Sequence, residues 1–390
     1  MGRLDQGQPA AQGQRMHWDV GIIGAGMAGA SLAAQLAPHL RVLVLEAEET
    51  PGYHATGRSA AFWTETYGGP LVQPLSSATG AFLACPPTAF AEQSFLRPRG
   101  ALMLGTAAQA QAFMDQFAGS GVALQPWSRA DLEACLPGLQ PRWTAGVWEA
   151  SNADIDVAAL HMAYLRAARR AGAEVLMRHP VTALRKQAKG WKVTAGSATF
   201  TIARLVNAAG AWAGDLAALA GALPIPIQPL RRTMVQLRLD TNISPDLPLV
   251  IDLAGGFYFK PEGTNRVWLS PHDETPSKPC DAAPEEADVA LALDRFGQVV
   301  NWPIAAVERR WAGLRSFTPD RAPVFGEDPA CPGFYWCAGQ GGAGIQTAPA
   351  IAALLAAEIL GEAPLAPYAG IDRAAYAPAR FATVTNGADG

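Results

Sequence analysis

The chain has 390 residues, enough for two domains and a large core, and its 49% apolar content and mean hydropathy of +0.08 exclude a disordered protein. A net charge of −4 without any Lys/Arg block argues against nucleic acid, so anionic ligand groups must be met by backbone dipoles and a few arginines. Five cysteines without CxxC spacing and six scattered histidines fit neither a disulfide framework nor a metal centre, so no metal and a reducing, cytoplasmic location are expected.

Residues 1–16 are polar and Gln/Gly-rich, lack the apolar core of a signal peptide, and read as a disordered extension, with Met16 an alternative translation start. Residues 18–23 form a short apolar strand that ends in Gly24-Ala25-Gly26-Met27-Ala28-Gly29. A small-residue helix runs to about Ala37, where Pro38 stops it, and 41–45 is a second strand closed by Glu46. The uncharged stretch 20–37 resembles a membrane span, but its glycines and strand-helix-strand plan argue otherwise, and 348–357 is too short to cross. No transmembrane segment is expected.

Each part of this βαβ unit has a physical task. Gly24 allows the tight turn, Gly26 lets a pyrophosphate approach the backbone, and Gly29 lets the helix lie close to the sheet. Free N–H groups at the helix start face the phosphates, where the helix dipole favours negative charge. Glu46, 20 residues beyond Gly26, accepts hydrogen bonds from ribose hydroxyls. The pattern points to the ADP half of a dinucleotide.

Next, Pro51-Gly52 marks a turn, and Thr56-Gly57-Arg58-Ser59 before Ala60-Ala61 suits a loop entering a helix. Such a loop offers N–H groups, hydroxyls and a guanidinium to a pyrophosphate; an ordinary turn with a helix cap is the alternative. Residues 154–172 have helical periodicity, and short strands follow at 173–177, 181–184, 191–194 and 200–202. Residues 204–212 read as a buried strand running into a glycine turn, with a helix through Leu219. From Pro224 to Pro284, alternating segments such as 234–239 and 257–260 read as antiparallel strands of an inserted second domain. Residues 302–311 lead back, 333–338 is a strand, and Gly339-Gln340-Gly341-Gly342-Ala343-Gly344-Ile345 opens a final helix over 347–360. A second glycine-rich turn suits a flavin, whose N1–C2=O edge gains negative charge on reduction that a helix N-terminus stabilises. A helix start without a ligand is the alternative.

At this point the chain resembles the FAD-dependent amino-acid oxidoreductases related to D-amino-acid oxidase, and among them the bacterial D-arginine dehydrogenases. The matching blocks are the two glycine turns, residues 51–61, Ala153-Asp154-Ile155-Asp156, residues 206–212, and Trp311-Ala312-Gly313-Leu314-Arg315-Ser316-Phe317. The resemblance implies an α/β fold: a Rossmann-type FAD-binding domain (17–95, 150–222, 312–375) with an interleaved substrate domain on a largely antiparallel sheet (96–149, 223–311) and a tail, 376–390. It implies non-covalent FAD held by Gly24, Gly26, Met27, Ala28, Gly29, Glu46 and Ala47 at the first turn. Thr56, Arg58, Ser59, Ala60 and Ala61 would add the loop contacts, and Val181, Ala209, Gly210, Trp212 and Gly313 the next wall. Gly341, Gly342, Ala343, Gly344, Ile345 and Gln346 would cover the ring.

By the same resemblance, Arg315 and Arg232 clamp a substrate carboxylate, Tyr258 adds a hydroxyl donor, Tyr67 is a mobile lid, and Gln346 faces the same cavity. Arginine suits that task because its planar fork stays charged and binds a carboxylate bidentately. Two departures matter: Ala101 stands where D-arginine dehydrogenases have a carboxylate, and Phe62 where they have a histidine. A cationic side chain would lose its hydration there without gaining a partner. The expected reaction is therefore oxidative deamination of a neutral or hydrophobic D-amino acid to the imino acid, then to a 2-oxo acid and ammonia. Hydride passes from Cα to flavin N5. Alternatives are a secondary amine or 2-hydroxy acid as substrate, a nicotinamide enzyme, or a non-catalytic FAD-binding protein. The electron acceptor, quinone, another carrier or O2, and the oligomeric state leave no mark in the sequence.

Overall fold

The computed structural model describes residues 17–382; the expectation for 1–16 and the end of the tail lie outside the described residues. The strand His17–Ile23 is the centre of an eight-stranded sheet. It pairs in parallel with Val42–Leu45 on one side and Ala198–Asn207 on the other. Glu174–Leu176 extends the first side. The far edge of Ala198–Asn207 is shared: its first half takes the antiparallel strand Gly190–Ala195, and its second half takes Phe334–Ala338 in parallel. These central strands are buried on both faces, which explains their largely apolar runs. The helices Met27–Leu36 and Gly344–Leu360 cover one face through Ala33, Leu36, Ile351 and Leu354; Leu216 on Ala213–Ala220 packs on the other with Trp191 and Trp336. Both glycine turns therefore lie at the carboxyl end of parallel strands, where open α/β sheets bind ligands.

The second sheet has nine strands, drawn from two separate parts of the chain. Across it run Ile304–Phe317, Gln228–Leu239, Arg266–Ser270, Tyr258–Pro261, Leu249–Asp252, Ala101–Gly105, Ala145–Glu149 and Leu124–Ser128; Thr275–Pro276 also pairs with Gln228–Leu239. All pairings are antiparallel except that of Leu249–Asp252 with Ala101–Gly105. Ile304–Phe317 begins exposed and ends buried, and so delivers its last residues to the first sheet. Its register sets Gly313 opposite Arg232 and Arg315 opposite Leu230. Opposed residues share a face and strands repeat every second residue, so Arg232 and Arg315 are diagonal neighbours on one face. Among the described residues, no helix is long and apolar enough to cross a membrane.

Several local expectations are corrected. The loop at 51–58 does not enter a helix: Ser59–Ala61 is extended and Phe62–Trp63 is a strand paired with Ala153–Ile155. Phe, Trp and Thr favour a pleated strand, and that pairing overrides the Ala-Ala signal. Asp154 and Ile155 belong to that strand too, and the helix begins only at Val157–Arg170, with the Asp156 carboxylate accepting the Ala159 N–H at 2.9 Å. The pieces expected at 200–202 and from 204 are one strand. The final helix starts at Gly344, three residues earlier than expected.

Candidate active site

A cavity of about 450 Å³ lies between the two glycine turns. Gly24, Gly26, Met27, Ala28, Glu46 and Ala47 line one end, and Gly341, Gly342, Gly344 and Ile345 the other. Thr56, Arg58, Ser59, Val181, Ala209, Gly210, Trp212 and Gly313 complete the wall. Gly24 has φ +107°, and a Cβ there would sit 2.4 Å from the Ala208 carbonyl oxygen, so only glycine fits the turn. A Cβ on Gly26 would meet only the Thr56 hydroxyl, at 3.3 Å, because that glycine faces open cavity. Neither Met27–Leu36 nor Gly344–Leu360 has a side-chain N-cap. Both helix starts thus keep donors and positive dipole ends available for a ligand. A long cavity with an uncapped helix at each end and glycine backbone on its walls fits FAD.

Some assigned residues do not line this cavity. Gly29 instead packs the helix onto the turn, where an added Cβ would lie 1.9 Å from the Gly24 carbonyl oxygen. Ala343 sits behind its neighbours as the residue preceding the final helix. Arg58 touches the cavity, but its guanidinium is spent elsewhere: it donates to the Ala282 carbonyl at 2.8 Å and forms an ion pair with Asp281. Its guanidinium thereby ties the loop to the 277–284 segment. The Thr56 hydroxyl likewise accepts the Met27 N–H at 3.0 Å and steadies the helix start. Glu46 accepts the Ala25 and Glu48 N–H groups at 2.7 and 3.0 Å, which orients its carboxylate while leaving each oxygen a lone pair.

A smaller space of about 20 Å³, room for one or two waters, adjoins it and is lined by Arg232, Arg315, Tyr67, Tyr258 and Phe62, with Ala60, Ala61 and Gln346. No acidic residue or histidine lines it. Arg232 is fixed: its Nε donates to the Asp273 carbonyl at 2.9 Å, and its Nη2 meets a Glu274 oxygen at 3.0 Å. Arg315 is 8% exposed, has no ion-pair partner among the described residues, and keeps a buried Nη1 without a hydrogen bond. Burial, with the neighbouring Arg232 charge, pulls its guanidinium below the usual arginine range, whereas Tyr258 and Tyr67 act the other way. A buried cation left unmatched is costly, so this group is built to receive an anion. Tyr258 donates to the Met234 sulfur at 3.1 Å, and burial raises its phenol above the usual value. Tyr67 packs edge-on against Phe62 at 5.4 Å, and its hydroxyl lies 2.4 Å from where a Gly342 Cβ would be.

Gln346 lines the small space, and its amide is engaged by the neighbouring turn. Its Oε1 accepts the Thr64 N–H at 3.1 Å, and its Nε2 donates to the Thr64 carbonyl at 3.1 Å and the Ser76 hydroxyl at 2.7 Å. It holds the turn that carries Tyr67. Neither Glu65 nor Glu92 lines the space: the Glu65 carboxylate accepts the Ser77 hydroxyl, and Glu92 is exposed.

Other contributors were missed. His54 packs against Trp212 with ring centres 4.6 Å apart, and buried His161 meets the Ala25 carbonyl at 2.8 Å, bracing the first glycine turn. His272 packs behind Tyr67 and Tyr258; burial and the Arg232 charge push its imidazole down to about 4. Cys337 and Cys280 touch the large cavity, and burial pushes the Cys337 thiol up to about 12, far from nucleophilic thiolate. Among the described residues no group of side chains could hold a metal ion.

The family model described as DAO, FAD dependent oxidoreductase, matches residues 19–358. The chain belongs to this FAD-dependent oxidoreductase family. Its cofactor is FAD. The chain is 26% identical over 366 residues to glycine oxidase from Geobacillus kaustophilus, covering 88% of this chain and 93% of that protein. It is also 26% identical over 393 residues to the bifunctional protein ThiO/ThiG of Synechocystis, covering 94% of this chain but spanning only 55% of that protein's length. The crystal structure of L-proline dehydrogenase from P. horikoshii shares the fold, with a TM-score of 0.81 and 21% identity over 95% of this chain and 99% of that one. These relatives support the wider family rather than the D-arginine dehydrogenases in particular.

Proposed function

We propose that this protein oxidises a small neutral amino acid at Cα, a D-amino acid where the substrate is chiral, to an imino acid that water hydrolyses to a 2-oxo acid and ammonia. The observation that carries this reading is Arg315: a buried, unpaired guanidinium beside a second, fixed arginine in a space with no acidic side chain. A carboxylate matches that charge, and bidentate geometry fixes the substrate's orientation. The absence of acid among the lining residues disfavours a cationic side chain, and the limited room favours a short one.

FAD, when bound, accepts the hydride equivalent from Cα. The chain's residues set the rest. Arg315 and Arg232 hold the carboxylate, Tyr258 adds a hydroxyl, and together they decide which hydrogen is presented, so stereochemistry follows from the clamp. No lining histidine or carboxylate serves as a base, so the amine must bind neutral; the two guanidinium charges and desolvation lower its pKa. Tyr67 over the Gly342 turn excludes water from the reacting carbon. The relatives named glycine oxidase and L-proline dehydrogenase are consistent with an amine or amino acid, and they raise secondary amines as the second substrate class.

A panel of glycine, sarcosine, L-proline and paired D- and L-amino acids, assayed with an artificial electron acceptor and separately with O2, tests this reading. Turnover of glycine or D-alanine with ammonia release supports it. D-arginine turning over far faster than any neutral substrate, or no turnover across the panel, would overturn it.

A further inference from the structure

The resemblance implies a mobile Tyr67, yet the turn bearing this residue is held from two sides by buried polar side chains. On one side Gln346, from the final helix, takes both backbone groups of Thr64 and also reaches the Tyr67 carbonyl at 3.4 Å. On the other side Glu149, at the end of the strand Ala145–Glu149, is fully buried. Its Oε1 accepts the Glu65 N–H at 2.7 Å and its Oε2 accepts the Thr66 hydroxyl at 2.6 Å. Asn152, just beyond, donates to the Trp63 carbonyl at 3.0 Å and to the Thr64 hydroxyl. A buried network with its donors matched to acceptors is rigid, and loss of one member leaves its partner orphaned.

Resting on the proposed reading of this site, we infer that Glu149 is a positioning residue that sets substrate size, by latching the 64–67 turn so that Tyr67 stays over the small cavity. With the turn latched the small cavity is only about 20 Å³, which favours a short substrate, and a long side chain requires the latch to open. Ionised, the Glu149 carboxylate is acceptor-only and matches the two donors aimed at it. Burial pushes this carboxyl up to about 6, and the Glu65 charge adds to the effect, against the Thr66, Glu65 N–H and Ser151 hydrogen bonds. Glu65 is the charged group that faces it. Protonation adds an O–H where two donors already point, so the latch weakens in acid.

Two variants and one pH series test this. Thr66→Val removes one latch donor without touching the cavity wall, and should lower the ratio of kcat/KM for glycine over D-leucine by about tenfold or more. Glu149→Gln keeps one acceptor and offers an N–H to the Thr66 oxygen, so the ratio should stay within about threefold of wild type at pH 8. The wild-type ratio should fall as pH drops through about 6, and that of Glu149→Gln should not. The substrate amine ionises alike in both substrates and cancels from the ratio. An unchanged ratio in Thr66→Val, an equal loss for both substrates, or a flat wild-type ratio between pH 5.5 and 8 would overturn the latch. Hydrogen exchange of the FAD-loaded protein reads it without turnover. Residues 64–69 should exchange at least about tenfold faster in Thr66→Val, and equal protection overturns the latch even if no amino acid is oxidised.

Discussion

Replacing Arg315 with Met should move stability and function in opposite directions. The Arg315 Nη1 is buried without a hydrogen bond, and no carboxylate pairs with the guanidinium among the described residues. An orphaned buried polar group costs about 1–3 kcal/mol, and Met retains most of the apolar stem. The FAD-loaded, substrate-free variant should therefore gain about 1–2 kcal/mol, a rise in Tm of roughly 2–4 °C at this chain length. Substrate binding loses a desolvated, charge-assisted pair of about 3 kcal/mol, so the half-saturation concentration should rise by about 100-fold. Calorimetric Tm and flavin reduction kinetics on the same preparation give both numbers, and the 450 nm absorbance checks that flavin is retained. Arg232→Met offers the contrast: it leaves the buried Asp273 carbonyl without its donor and removes one of the two arginines that pair with Glu274, so that variant should melt lower. A lower Tm in Arg315→Met with unchanged half-saturation would make Arg315 a structural residue and refute the reasoning.

Other outcomes follow from the same geometry. Gly26→Ala should fold with a near-normal Tm but purify with little flavin, because its Cβ projects into the cofactor cavity, whereas Gly24→Ala should lose both fold stability and flavin; equal flavin content in Gly26→Ala and wild type would contradict this. The rate of flavin reduction should rise with pH through one ionisation, that of the substrate amine, and a flat profile from pH 6 to 10 would count against a neutral-amine mechanism. His272, held down at about 4 against 6.5 unfolded, binds fewer protons when folded, so its stabilisation is complete above pH 6.5 and is lost as pH falls through about 4. That component is on the order of 3 kcal/mol. Glu149, raised from 4.5 to about 6, runs the other way, its contribution being lost as pH rises through 6. Urea midpoints at pH 7 and 4.5 should therefore differ less in His272→Asn than in wild type; equal differences would remove His272 from the account.

The parts legible in the sequence were those whose physics is local. Gly24 and Gly26 declare their roles within one strand-turn-helix, and Arg315 is marked by its own neighbours Trp311, Leu314 and Phe317. Its pairing with Arg232 needed only the register of two long strands, since period two then puts both on one face. What sequence did not disclose comes from side chains meeting across long separations. Glu149 and Gln346 reach the 64–67 turn from 84 and 282 residues away, and Arg58 meets Asp281, 223 residues on. Nothing in the spacing of those residues signals the contact. The Ala60-Ala61 helix failed for a related reason, because a strand at Ala153–Ile155 supplied hydrogen bonds that the local sequence does not announce.

The most direct measurement is anaerobic titration of the purified, yellow protein with glycine, D-alanine and L-alanine while the 450 nm band is followed. Bleaching by glycine and D-alanine, slow or absent with L-alanine and abolished at low substrate in Arg315→Met, is the predicted result. A band that none of them bleaches, or that Arg315→Met bleaches as readily as wild type, would contradict a carboxylate-clamped amino acid as the substrate.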